Sequence, residues 1–254
     1  MDKRSYHKLF RTDAYIHGSY RTWLLATAKR FKAHQESEAK LERGARILVF
    51  ENEAANNTRF FQSISGRPEE VHLELLRIAR PDHIPPVNPH KSFIGIHVRT
   101  GDFTRVTDPD ALRTMRNVQL PIEWYRSILL SIRKQIGGDV DARVFSDGSA
   151  ELLRPLLDLP NVSLEEPYSA LRDMLELSKA STLISSGSGF SMWAAYLRQV
   201  PRICFPNQRR EYVVTSSSTI DLEPECETGN DIPSHFIAYI ADGFRHLGEV
   251  KQFS

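Results

Sequence analysis

The sequence predicts an α/β protein built around a doubly wound parallel sheet. Three observations carry that prediction. Between about residues 91 and 206, short apolar segments alternate with amphipathic ones. Those segments are apolar on both faces, as parallel strands covered by helices are. A proline-rich stretch, "PDHIPPVNPHK" at 81 to 91, separates this regular region from a more charged opening of about ninety residues. Three units are therefore expected: 1–90, 91–206, and an extension over 207–254.

In chain order, residues 19 to 43 read as one surface helix, with Trp23, Leu24, Thr27 and Phe31 interleaved among charges. "ARILVF", 45 to 50, reads as a short strand. "RPEEVHLELLRIAR", 67 to 80, reads as a helix with Pro68 at an early position and acids in its first turn. After the linker, "SFIGIHV" is a strand. "TRVTDPDALRTMRNV", 104 to 118, lacks clean periodicity and reads either as a mobile acceptor loop or as a solvated charged loop. "PIEWYRSILLSIRKQIGG" is a helix, with Ile122, Tyr125, Leu129, Ile132 and Ile136 on one face and Gly137 to end it. There follow a strand "ARVFSD", a short helix "SAELLRPLLDL" broken near Pro155, a strand "NVSLEE", and a helix "SALRDMLELSKA" capped by Ser169. "STLISS" is a strand, "GFSMWAAYLRQ" a helix, and "PRICFP" the fifth and last strand. Beyond it, "SHFIAYIADGFRHLG" reads as one more helix.

At 26% charged and 41% hydrophobic, the composition is that of an ordinary soluble globular protein. A net charge of +1 gives no global drive toward nucleic acid or anionic membranes, so any anion site must be local. No apolar run is long enough to cross a bilayer, which leaves only peripheral membrane contact open. The opening "MDKRSYHKLFRTD" lacks the apolar core of a signal peptide, so the cytoplasm is the expected compartment. Cys204 and Cys226 fit no metal spacing and no disulfide framework. Glycosylation-type triplets at Asn56 and Asn161 read as chance matches. The histidines are scattered and no metal is assigned. The pairs Asp108/Asp110 and Asp139/Asp141 have a spacing common by chance among 32 acidic residues.

Three predicted strand ends carry polar residues of one kind. In "HVRTGD", Arg99 offers a fork of donors suited to phosphate, Gly101 permits a sharp turn, and Asp102 reads as that turn's brace. In "FSDG", Ser146 and Asp147 stand where a carboxylate meets ribose hydroxyls or the N–H groups of a base. "SSGSGF" is a small-residue loop running into a helix, where backbone N–H groups and serine hydroxyls form an anion cradle. Plainer readings exist for each. Strand-end Arg and Asp often pair only with each other, His97 reads equally well as a satisfied core histidine, and a Ser/Gly loop before a helix is often only a cap. The coincidence of three such loops at one sheet edge favours a phosphate-bearing ligand. In doubly wound sheets that edge is where ligands sit.

Together these residues resemble the α-1,2-fucosyltransferase family and its α-1,6- and protein O-fucosyltransferase relatives. The resemblance rests on His97-Val98-Arg99-Thr100-Gly101-Asp102, then Phe145-Ser146-Asp147-Gly148, then Gly187-Ser188-Gly189-Phe190-Ser191-Met192-Trp193. Asp173-Met174 and the "FFQS" of Phe60 to Ser63 add to it, and it spans about residues 59 to 206. It implies a GT-B-like fold of two Rossmann-like lobes, the first of them shortened here, and an inverting, metal-independent transfer of fucose from GDP-fucose to a glycan hydroxyl. GDP-fucose is then a donor substrate, and no cofactor is implied. It further implies that Arg99 and His97 serve catalysis, that Arg99 grips pyrophosphate, that Asp147 holds guanine or ribose, and that Gly101, Ser146, Ser188, Gly189, Phe190 and Ser191 complete the donor site. Thr100 stands where a second arginine is frequent, and Gly189 where a hydroxyl residue is, which leaves room for another nucleotide-sugar donor; the shortened first lobe leaves room for a degenerate, non-catalytic nucleotide-binding protein.

Overall fold

The computed structural model describes residues 6–32, 35–49, 61, 64–86, 92–214, 218–224 and 232–245. Phe60, Gln62, Ser63, Asn56 and Cys226 lie outside them. The chain opens with α1 (Tyr6–Leu9), α2 (Gly18–Thr27), β1 (Lys29–Lys32), α3 (Glu36–Leu41) and β2 (Arg46–Val49). The single helix expected over 19 to 43 is thus three elements. Lys29 to Lys32 buries only Phe31 and exposes its charged neighbours, and what makes it a strand is its partner. β1 pairs in parallel with β2, placing Phe31 opposite Leu48. α4 (Pro68–Ile78) starts on Pro68, as expected for a residue without an N–H to satisfy.

The main sheet has six parallel strands: β3 (Ile94–Val98), β4 (Ala142–Ser146), β5 (Val162–Leu164), β6 (Thr182–Ser185), β7 (Arg202–Cys204) and β8 (Asp221–Leu222). Their order is β5-β4-β3-β6-β7-β8. From β3 the chain steps outward to β5, returns across the sheet to β6 beside β3, and steps outward the other way. This is the doubly wound order, and its reversal point lies between β3 and β6. The expected last strand, β7, is followed by a sixth. β8 was missed because it has two residues, one of them the buried Asp221.

The remaining helices are α5 (Pro109–Thr114), α6 (Ile122–Ile136), α7 (Ala150–Leu157), α8 (Ala170–Leu177), α9 (Gly189–Arg198) and α10 (Ser234–Arg245). In doubly wound sheets, right-handed crossovers place the helices of the two halves on opposite faces. Accordingly α6 packs against α7 and α10, while α9 packs against α8 and α4. α6 turns Tyr125, Ile128, Leu129 and Ile132 into the core, all fully buried, and ends where Gly137 adopts φ 84°. α7 runs through Pro155 instead of breaking there; near the end of a short helix the proline removes one hydrogen bond without ending it. Residues 104 to 118 hold α5, whose first turn is capped by Asp108. The segment is closed on itself by Thr104 N–H to Asn117 O at 2.8 Å and Gln119 N–H to Thr104 O at 2.9 Å. Among the described residues no helix is long and apolar enough to cross a membrane.

Candidate functional site

β3 enters the core as five buried residues, Ile94 to Val98, and leaves it at Arg99. Its middle depends on Gly95, where a Cβ would come within 2.6 Å of Leu183 Cδ2 and 2.8 Å of Leu177 Cδ1. The strand ends of β3, β4 and β5, the loop after β7 and the start of α9 open onto one cavity of about 560 Å³. Its walls include His97, Arg99, Asp102, Ser146, Asp147, Ser188, Gly189 and Phe190. Of the predicted site residues, only Gly101 and Ser191 do not line it.

The turn after β3 is held by β4. Asp147 accepts the backbone N–H of Thr100 at 2.8 Å, the hydroxyl of Thr100 at 3.2 Å and the backbone N–H of Gly101 at 3.2 Å. It also pairs with Arg99 Nη1 at 3.0 Å. Burial raises the affinity of this carboxyl for a proton. The Thr100 amide, the Arg99 guanidinium and the Gly101 amide outweigh burial and hold its pKa below the usual carboxylate value. The turn brace expected of Asp102 is therefore supplied by Asp147, whose acceptor positions are occupied by the turn. Asp102 instead pairs with Arg99 Nη2 from an exposed position. Gly101 keeps this contact close: a Cβ would lie 2.9 Å from Asp147 Oδ2 and push the carboxylate aside.

His97 sits at the reversal point. Its ring is 4% exposed, stacks on Phe190 at 4.7 Å between centroids, and places Nδ1 2.8 Å from Ser186 Oγ. Burial, and then the nearby Arg99, push its pKa down to about 3, with Asp147 opposing, so the ring is neutral at physiological pH. Among the described residues Nε2 has no hydrogen-bond partner. Ser186 was not singled out from sequence. Its place in "SSGSG", two residues before a helix cap, was the available signal.

The loop into α9 is stitched by its own hydroxyls. Ser188 Oγ accepts the Phe190 N–H at 3.1 Å and caps the helix. Ser191 is fully buried, and its hydroxyl meets Ser186 O at 3.0 Å and Ser188 O at 3.2 Å. Ser191 thus shapes the loop instead of facing the cavity. Gly189 has open space around its Cα, and its N–H belongs to the first helical turn, whose donors have no intrahelical acceptor.

Three contributors were missed. Arg210, on the loop after β7, lines the cavity and donates to Asn117 Oδ1 at 2.6 Å. Glu165 and Glu166, at the end of β5, line it as well. Glu165 lies 3.6 Å from Arg143, whereas the Glu166 side chain has no partner among the described residues. Asp173 also reaches the cavity, but it accepts the N–H groups of Tyr168 and Ser169 at the start of α8. Burial raises its pKa.

The chain matches the family model described as "Glycosyl transferase family 11" over residues 69–211. No curated protein matches it. Among solved structures, one similar chain is the pneumococcal O-GlcNAc transferase GtfA in complex with UDP and GlcNAc, at 13% identity and a TM-score of 0.32. That match covers 94% of this chain and 44% of the other, so this chain spans less than half the length of that protein.

Proposed function

Because the chain belongs to glycosyl transferase family 11, we propose that it transfers fucose from GDP-fucose to a hydroxyl of a glycan acceptor, with inversion at the anomeric carbon. The observation that carries this reading is the convergence of Arg99, the neutral His97 and the first turn of α9 on one cavity at the reversal point of the sheet.

Cleaving a sugar–diphosphate bond leaves negative charge on the departing phosphate as the sugar becomes cationic. A guanidinium and the free amides of a helix start, fixed before reaction, stabilise that charge as it develops. Arg99 is oriented by Asp147 and Asp102 before any ligand arrives. Asp102 is exposed, so exchanging its contact for a phosphate oxygen costs little. In the tautomer where Ser186 Oγ–H donates to Nδ1, the His97 proton is on Nε2 and would offer a donor to the phosphate. A buried ring beside Arg99, this hard to protonate, is suited to binding and orienting the donor.

In this reading the nucleoside lies toward β4 and β5. Guanine presents two adjacent N–H donors that match a carboxylate. With Asp147 engaged by the turn, Glu166 is the acid at that end available to read them. The same engagement of Asp147 favours, as a second reading, a nucleotide sugar with another base.

Calorimetric titration with GDP, UDP and ADP tests this. Preference for GDP fits the proposed donor, and preference for UDP or ADP moves the donor to the second reading. Absence of binding to all three refutes both. Release of GDP from GDP-fucose only when a galactoside mixture is present then distinguishes transfer from hydrolysis.

A further inference from the structure

We infer that Arg210 is the second phosphate-gripping cation of this cavity, taking the part of the arginine that Thr100 replaces. This rests on the reading of the cavity as a nucleoside-diphosphate site.

The placement follows from the strand order. Arg99 leaves the end of β3, on one side of β6, and Arg210 follows the end of β7, on the other side. The start of α9 follows β6 and lies between them in the sheet order. A diphosphate on the amides of α9 therefore has one guanidinium on each flank, and both arginines line the same cavity. Asn117, which adopts φ 55° after α5, fixes the Arg210 guanidinium through its side-chain oxygen.

The loop carrying Arg210 is anchored on both sides. Arg209 donates from Nη1 to Asp221 O at 2.6 Å, and its backbone N–H donates to Glu223 at 2.6 Å. Glu211 O accepts from Arg202 Nη2 at 2.7 Å. Arg202 and Asp221 form a fully buried ion pair, and Asp221 also accepts the Val213 N–H at 2.9 Å. One residue before Arg209, Gln208 donates to Leu112 O and Met115 O while lying against Gly187 of the helix-start loop. A cation held by this many neighbours is preorganised for an anion. Burial, and then the neighbouring Arg116, lower the proton affinity of Arg210.

The test compares the full chain with Arg210→Gln and Arg210→Lys. Affinities are measured for the nucleoside diphosphate that binds best and, by competitive displacement, for its parent nucleoside. Arg210→Gln is expected to lose tenfold or more toward the diphosphate and less than twofold toward the nucleoside, with Arg210→Lys intermediate. Unchanged diphosphate affinity overturns the inference, as do equal losses for both ligands, which assign Arg210 to pocket shape. Should Arg210→Gln not fold, Arg210→Lys decides: a threefold or greater fall in the diphosphate-to-nucleoside affinity ratio supports the inference, and an unchanged ratio overturns it. A wild-type chain that binds no nucleoside diphosphate refutes instead the reading of the cavity itself.

Discussion

Acidification from pH 7.5 to 5.0 should cost the protein about 2 kcal/mol of stability through His97 alone. His97 is buried against Phe190 and beside Arg99, and its pKa is depressed from the ordinary 6.5 to about 3. The unfolded chain therefore binds a proton on this ring below about pH 6.5, and the folded chain does not until about pH 3. Between those limits the unfolded state holds more protons, so stability falls as pH falls. At pH 5.0 the unfolded ring is about 1.5 units below its pKa, and at about 1.4 kcal/mol per unit this gives the stated loss. His72 shifts the same way through burial and Arg198, so the effect must be isolated by difference. Urea denaturation of the wild type and His97→Gln at both pH values gives that difference. The wild type should lose about 2 kcal/mol more than the variant, which starts less stable but has no imidazole to protonate. Equal losses would mean that the ring accepts a proton in the folded state, and would remove the neutral histidine from the site.

Three further outcomes follow from the same contacts. Arg99→Ala should weaken GDP binding by roughly 2 kcal/mol while leaving the fold intact, checked by calorimetry alongside a thermal melt; unchanged affinity in the folded variant contradicts the phosphate role. Gly101→Ala should cost about 1 kcal/mol and lower GDP affinity, because the new Cβ would sit 2.9 Å from Asp147 Oδ2 and displace the brace; a neutral result in denaturant titration means that the turn relaxes freely. Asp221→Asn should destabilise by about 3–5 kcal/mol, since it leaves Arg202 buried and charged without its counter-ion, whereas Arg202→Met combined with Asp221→Leu should cost markedly less in the same measurement.

The sheet was legible because parallel strands buried on both faces are largely apolar, and short runs such as Ile94 to Val98 and Thr182 to Ser185 alternate with amphipathic helical segments. The helix ends were legible where chemistry forces the residue, as at Gly137 and Ser169. β8 was not, because it holds two residues and buries an aspartate whose partner, Arg202, lies 19 positions away. β1 was hidden because a single buried Phe31 among lysines and an arginine also fits a charged helix face. The same limit governs the site. Which strand ends carry polar groups can be read locally, but which group meets which cannot. Asp147 and Asp102 are equally good turn braces on paper; only the pairing of β3 with β4, which puts Val98 opposite Ser146, hands the work to Asp147. Arg210 carries no motif at all. Its one advance signal was position: it follows the end of the last strand that was read, at the edge where ligands collect.

That dependence on strand pairing has a consequence for how the cavity functions. Each neighbouring pair of loops is joined by a side chain: Asp147 ties the β4 end to the β3 turn, and His97 with Ser186 ties β3 to β6. Gln208 lies against Gly187, bringing the β7 loop to the β6 loop, and its amide reaches back to Leu112 and Met115 in the segment after β3. The groups that would meet a diphosphate are therefore ordered as the sheet folds, and binding need not order them again. The arrangement also predicts where damage spreads. Loss of a bridging residue such as Gln208, which does not line the cavity, should reduce diphosphate affinity by letting two loops separate. Loss of an exposed contact such as Asp102 should matter less, because no other part of the cavity rests on it.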